Sequence, residues 1–282
     1  MRMKAPFQQR IDGSNWRDFA ALSVNPSHWT AVIPAAGRGS RLGSGRPKIL
    51  YPVAGRLLIE WLLDFLEPNC SRFVFVLSPG GVAEVTPELD RLIPGRYEIV
   101  VQEVPRGMGD AVALALLAVG TPNIAIVWGD QVALRRSSVE ACLRLHDGPL
   151  DPAVTCPTVV RGDPYIHFDR DAEGRISGLR QAREGDQMPE EGESDTGFFC
   201  FKTSALRNLL RDIRQEPGQE GRSTREFNFL PVLPFAAQRG LEVLSPALMT
   251  LEETVGINCA ADAAAVEVFL RNSHADADQY VA

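Results

Sequence analysis

Lysine is nearly missing from this chain: Lys4, Lys48 and Lys202 stand against 26 arginines in 282 residues. Cysteine is also sparse. Five residues (Cys70, Cys142, Cys156, Cys200, Cys259) lie scattered, with no Cys-x-x-Cys pair, which argues against structural zinc and for reduced, mostly buried thiols. No stretch approaches the ~20 apolar residues of a membrane span, and the first residues hold no apolar signal core. Basic charge is in deficit too, with a formal net charge of −7, whereas a general nucleic-acid surface would show a basic patch or stripe. No unit of 20 to 50 residues recurs, and no hexapeptide pattern. The expectation is a cytoplasmic protein with neither nucleic acid nor membrane as partner. What is present, 45% hydrophobic and 23% charged residues, suffices for the core of one α/β domain, or of one domain with an inserted lobe.

One stretch organises the rest. The apolar run from Thr30 to Ile33 ends in Pro34, Ala35 and Ala36, then Gly37, Arg38, Gly39, Ser40, Arg41, Leu42 and Gly43, with Pro47-Lys48 close behind. A buried strand thus delivers its backbone into a loop with few Cβ atoms, where successive N–H groups can converge on anionic oxygens. Arg38, Arg41 and Lys48 add positive charge. The loop reads as an anion cradle, although a lone Gly-x-Gly is equally an ordinary tight connection. Lys48 runs against the chain's arginine habit, and a lysine offers a compact point charge where arginine offers a planar fork.

Downstream, 57–66 spaces its polar residues four apart and reads as a core-packed helix. Strands are expected at 72–77 and 97–101, with a helix opening at Thr86-Pro87-Glu88 between them. A helix over 109–119 stops at Gly120, and 123–127 is a short strand buried on both faces. Strands alternating with helices imply a parallel sheet with right-handed crossovers. After about residue 150, strand-like runs at 153–160, 165–170 and 176–180 make a hairpin-rich lobe, with turn residues at 171–174. The acidic tract 184–193 reads as a solvated loop. A strand at 198–202 and helices at 205–213, 229–239 and 260–271 follow. The reading is an extension over residues 1 to 28, with a short helix around Trp16 and Phe19, a domain over 29–271 divided near residue 150, and a frayed tail over 272–282.

In an open α/β sheet, ligands bind beyond the carboxyl ends of the strands. Gln102 follows the third strand, Asp130 follows the fourth, and Asn258 precedes the last helix. Asp130 can hold a divalent metal or simply cap a loop. Gln102 carries an amide able to meet the donor and acceptor edges of a base, or else sits in a plain loop. His28 and His167 sit in no motif and read as structural residues.

The run from Pro34 to Leu42 with Pro47-Lys48 resembles the signature of nucleotidyltransferases that join a nucleoside triphosphate to a sugar 1-phosphate. Within that group the sequence is most similar, over about residues 30–271, to the uridylyltransferase domain acting on N-acetylglucosamine 1-phosphate, without its acyltransferase β-helix. The resemblance implies a Rossmann-like, mostly parallel sheet flanked by helices, with a hairpin-rich sugar-binding lobe. It implies that Ala35, Ala36, Gly37, Arg38, Gly39, Ser40, Gln102, Gly107 and Met108 bind the nucleotide. Arg41 and Lys48 would act on the phosphates, and Asp130 and Asn258 would hold Mg²⁺. Tyr165, Gln181, Asp195, Thr196 and Glu226 would contact the acceptor. On that side the match is looser. Ile166 follows Tyr165 in place of a glycine, Asp195 replaces an asparagine, Gln181 stands near an expected glutamate, Met108 replaces a hydroxyl residue, and Pro231 breaks an expected Thr-Asp pair.

The expected activity is Mg²⁺-dependent transfer of a nucleotidyl group, UMP first, from a nucleoside triphosphate to a sugar 1-phosphate with release of pyrophosphate. Cytidylyl transfer to another phosphate or phosphonate acceptor is the alternative within the class. Outside it stand a catalytically silent nucleotide-binding module and a dinucleotide-binding oxidoreductase. The oxidoreductase needs an acid at the end of a second strand, and its one candidate, Glu60, falls in a helix.

Overall fold

The computed structural model describes residues 22–37, 39–216, 218 and 220–279. The helix expected around Trp16 and Phe19 lies outside them, as does Arg38 of the cradle. In chain order the strands are β1 (Trp29–Pro34), β2 (Pro52–Val53), β3 (Arg56–Leu57), β4 (Arg72–Leu77), β5 (Tyr97–Val101), β6 (Asn123–Val127), β7 (Val154–Thr155), β8 (Thr158–Gly162), β9 (Ile166–Arg170), β10 (Ile176–Gln181), β11 (Glu191–Asp195), β12 (Phe198–Lys202) and β13 (Val243–Leu244). The helices are α1 (Leu58–Leu66), α2 (Pro79–Leu92), α3 (Met108–Ala115), α4 (Arg136–His146), α5 (Thr203–Ile213), α6 (Val232–Gln238) and α7 (Ala260–Gln279).

The main sheet has the order β13-β7-β12-β6-β1-β4-β5. β1 pairs parallel with β4 and β6, β4 with β5, and β7 with β13, while β12 runs antiparallel to β6 and β7. This is the mostly parallel α/β sheet that the alternating elements predict. Strand periodicity sorts the core into two layers. Trp29, Ala31 and Ile33 of β1 join Phe73, Phe75 and Leu77 of β4 and Phe198 and Cys200 of β12 beneath α1, α2, α4 and α7. Val32, Val74, Val76, Ile124, Ile126, Phe199 and Phe201 point the other way, onto α3, α5 and α6. With β1 buried along its whole length, both faces of the sheet are covered.

Three expectations need correction. The second helix opens at Ser78-Pro79, with Pro79 at its first position, and Pro87 lies inside it. Proline suits a first turn because that N–H is unpaired anyway. Gly80 and Gly81, poor helix formers, mask the true start, and the Thr86 hydroxyl donates to Val82 O at 2.8 Å inside the helix. The run 153–160 is two strands in two sheets. Pro157, between β7 and β8, has no N–H to continue the ladder, and β8 leaves to pair with β11. The last helix continues to Gln279, past the expected stop at Arg271.

The acidic tract also differs from a solvated loop. Its far end is β11, where Glu193 pairs with Arg170. Its near end, Glu184, is buried and ties the lobe together: Ser223 N–H (2.9 Å), Thr224 N–H (3.3 Å), the Thr224 hydroxyl (2.6 Å) and Asn228 Nδ2 (3.0 Å) all donate to its carboxylate. A charge run is usually solvated because ions lose hydration on burial, but enough donors can replace the water. Gln181, its neighbour at the end of β10, is held in the same way, its N–H donating to Asp186 Oδ2 at 2.8 Å.

All five cysteines are free thiols, four of them buried. Burial pushes the Cys70 thiol up to about 12, which removes it as a nucleophile at neutral pH. No helix among the described residues is long and apolar enough to cross a membrane.

Two outcomes follow. Burial raises the Glu184 carboxyl, but its donors outweigh that and hold it down at about 2, below the ordinary 4.5. The charged form is therefore favoured by folding, so its contribution is complete above pH 4.5 and disappears as the pH falls from 4.5 towards 2. Glu184→Gln should destabilise the protein by about 1–2 kcal/mol at neutral pH and flatten its melting temperature against pH across that window. Gly107 has φ +104°, and a Cβ there would lie 2.6 Å from Phe227 O and 2.8 Å from Glu226 Cβ. Gly107→Ala should destabilise by about 1–3 kcal/mol in denaturant titration.

Candidate active site

The chain runs outward from β1 through β4 to β5 and then returns to the other side of β1 as β6. That reversal between β1 and β6 is the topological switch point, where open α/β sheets bind ligands in a crevice beyond the strand ends. Backbone contacts hold its rim: Ala35 N–H donates to Val76 O at 2.8 Å, and Gly129 N–H to Pro34 O at 3.3 Å. A Cβ on Gly129 would lie 3.0 Å from Pro34 O and 3.2 Å from Ala35 Cβ, so the tight approach of the two loops calls for glycine at this point. Asp130 comes next.

The cradle closes on itself beside it. Lys48 N–H donates to Gly37 O at 3.1 Å, and Gly39 and Gly43 take left-handed backbones at φ +61° and +66°. Gly37, Ser40 and Arg41 are exposed, Ala35 is buried, and Ala36 and Gly39 are half-buried. The third member arrives from the far end of the chain: Ile257 N–H donates to Asp130 O at 3.2 Å, and Asp262 accepts from Asn258 N–H (2.8 Å) and Cys259 N–H (3.0 Å). Lys48 Nζ then donates to both Asp130 Oδ2 and Asn258 Oδ1, the latter at 2.9 Å. The two oxygens converge on one point, and an ammonium sits there. No group of three or more His, Cys, Asp or Glu side chains among the described residues could hold a metal. Two protein oxygens with water and phosphate completing the shell still suit Mg²⁺, which keeps several waters.

Gln102, at the end of β5, is buried, with Gly107 and Met108 beside it at the start of α3. A cleft of about 430 Å³ extends from Asp130 and Asn258 into the lobe. Tyr165, Gln181, Asp195 and Thr196, four of the five residues expected on the acceptor side, line it together with Met108, expected on the nucleotide side. Tyr165 is 54% exposed at its mouth, while Thr196 is buried with its hydroxyl unpaired. Burial pushes the Asp195 carboxyl up to about 6, against the opposing pull of Gly197 N–H at 3.0 Å and of Arg161. Glu226 is engaged in an ion pair with Arg183. His167 accepts from Glu193 N–H at 3.1 Å, a structural role.

Residues missed by sequence reasoning also line the cleft: Trp128, Gln131, Arg161, Arg183 and Asn228. Among so many arginines nothing local singles out these two. Glu60 offers no ribose acid, because it sits in the first turn of α1 and accepts from Leu57 N–H at 2.8 Å and from Arg91.

Residues 31–194 match the family of the MobA-like NTP transferase domain. The chain is 30% identical over 241 residues to the bifunctional protein GlmU of Chromohalobacter salexigens, covering 84% of this chain and 50% of that protein. It is 32% identical over 260 residues to the bifunctional protein GlmU of Burkholderia orbicola, covering 87% and 53%. The chain thus spans about half the length of the relatives it matches. The family match takes in more than half of the chain, including the cradle, Gln102 and Asp130, so this chain belongs to the MobA-like NTP transferase domain family and is a nucleotidyltransferase.

Proposed function

We propose that the chain transfers a nucleotidyl group, UMP first, from a pyrimidine nucleoside triphosphate to a sugar 1-phosphate. The observation that carries this reading is the convergence of Lys48, Asp130 and Asn258 on one point between the cradle and the lobe cleft. In it, the residues before about 150 bind the nucleotide and those after it bind the acceptor. The triphosphate lies in the cradle, against the N–H groups of 35–40, with Arg41 and Lys48 over the phosphates. An acceptor phosphate oxygen forms a bond to the α-phosphorus, the bond from that phosphorus to the bridging oxygen breaks, and pyrophosphate leaves with the electron pair.

No covalent enzyme intermediate is needed. The protein's contribution is position and charge. Asp130 and Asn258 would hold Mg²⁺ where the ammonium of Lys48 now sits, and the ion would supply Lewis-acid neutralisation of phosphate charge. With that ion held, the Lys48 ammonium would be available to the phosphates. In the cleft, the charge of Arg161 acts on Asp195, and its Nε is buried without a hydrogen-bond partner among the described residues. That cation and the unpaired Thr196 hydroxyl are our candidates for meeting the acceptor's phosphate and hydroxyl oxygens. In this reading Gln102 faces the nucleobase beside Gly107 and Met108, and this base segment cannot recede for a purine, because Gly107 abuts Phe227 and Glu226.

Three measurements test the reading. Pyrophosphate release with Mg²⁺, the four triphosphates and a panel of sugar 1-phosphates should favour UTP, then CTP. A preference for ATP or GTP sinks the base assignment, and no release with any pair makes this a silent binding module. Asp130→Asn should lower metal-dependent turnover by about 10²-fold or more. Its melting temperature should hardly move, since the amide can still accept from Lys48. Lys48→Arg should reduce kcat more than nucleotide affinity, because a planar fork cannot replace a compact ammonium; unchanged kcat would make Lys48 a generic charge.

A further inference from the structure

We infer that Asp110 decides how the base is read, by locking the Gln102 amide with its carbonyl oxygen turned to the ligand. The inference rests on the proposal that Gln102 faces the nucleobase. Asp110 is a positioning residue; Gln102 makes the contact.

The amide of Gln102 has one donating end and one accepting end, and its neighbours allow only one orientation. Its Nε2 lies 3.1 Å from Asp110 Oδ2 and 3.2 Å from Gly107 O. A carboxylate and a backbone carbonyl can only accept, so the end between them must be the nitrogen. The flipped amide would press its oxygen against two acceptors. Both N–H bonds of Gln102 are therefore engaged inside the protein, and its Oε1 makes no hydrogen bond among the described residues. Gln102 is 6% exposed, so little of it besides that oxygen is left for a ligand.

Asp110 is itself held. Arg214 donates to its Oδ1 at 2.9 Å, and the Arg214 guanidinium lies 4.9 Å from the centre of the Phe227 ring. The backbone of Phe227 bonds to Arg106 O at 2.8 Å and to Gly109 N at 2.9 Å, on either side of Gly107. Asp110 also lies in the first turn of α3, where negative charge is favoured by the unpaired N–H groups. The carboxylate is thus fixed by one partner while it fixes another.

A base that binds must then bring an N–H to Gln102 Oε1. Uracil has its ring N3–H and cytosine its exocyclic amine, so the lock selects the donor part of a pyrimidine edge. The amide's own donors play no part in recognition, and this separates the inference from a simple glutamine contact.

The test exchanges the polar groups. Gln102→Glu alone sets two carboxylates face to face, and UTP affinity in the presence of Mg²⁺, by titration calorimetry, should fall at least tenfold. In the double variant Gln102→Glu with Asp110→Asn, the new amide can donate to the new carboxylate and still accept from Arg214, while an outward oxygen still faces the base. The new carboxylate still faces Gly107 O, so affinity should recover in part, by at least about threefold over Gln102→Glu alone. Asp110→Asn alone removes the lock without removing the contact and should weaken UTP by about three- to tenfold. A double variant as weak as Gln102→Glu, with a wild-type melting temperature, overturns the inference, as does unaltered UTP affinity in Asp110→Asn. If the variants with Gln102→Glu do not fold, Asp110→Asn still decides. Wild-type protein that binds neither UTP nor CTP overturns the nucleotide reading and this inference with it.

Discussion

One ammonium shared by two oxygens ties this structure together. Lys48 Nζ reaches Asp130 and Asn258, 82 and 210 positions away in sequence, so the loop after β1, the loop after β6 and the approach to α7 meet at one point. Both members of the Lys48–Asp130 pair are largely sheltered, at 18% and 20% side-chain exposure. A sheltered ion pair contributes little net stability once desolvation is counted. Its effect is instead to hold two oxygens and a cation at the crevice where the strand order reverses.

The approach that permits this is set by backbone. Gly129 N–H bonds to the carbonyl of Pro34 with no space for a side chain, and Asp130 O accepts from Ile257 N–H. The sheet therefore positions the charged groups through main-chain contacts that do not depend on those groups. This is why charge changes at the site are expected to alter chemistry more than folding.

On the lobe side, Glu184 does for the loops what the sheet does for the crevice. Its carboxylate gathers Ser223, Thr224 and Asn228, and the same segment continues to Glu226, which pairs with Arg183, and to Phe227, which packs under Arg214. One stretch of chain thus borders both the cleft, through Asn228, and the turn at Gly107, through Glu226 and Phe227.

Local sequence determined the cradle, the run of parallel strands and helices, and the candidate residues at strand ends, because period-two burial, small residues after an apolar run and a lone Pro-Lys depend on neighbours in the chain. It also marked Gln102, Asp130, Asn258 and a minority of the residues that line the cleft, among them Tyr165, Gln181, Asp195 and Thr196. It misplaced the start of α2, where two glycines hid a proper Ser-Pro opening, and it took Glu184 for a solvated charge. Those errors have one origin: whether a weak helix former is tolerated or an ion is buried depends on partners brought from elsewhere. Tertiary structure alone decided that Lys48 meets Asp130 and Asn258, that Arg161 and Arg183 enter the cleft while the other described arginines stay outside, and that Asp110 faces Gln102. Hydrogen bonds and ion pairs act over about 3 Å in space, and only the folded sheet brings residues far apart in the chain within that distance.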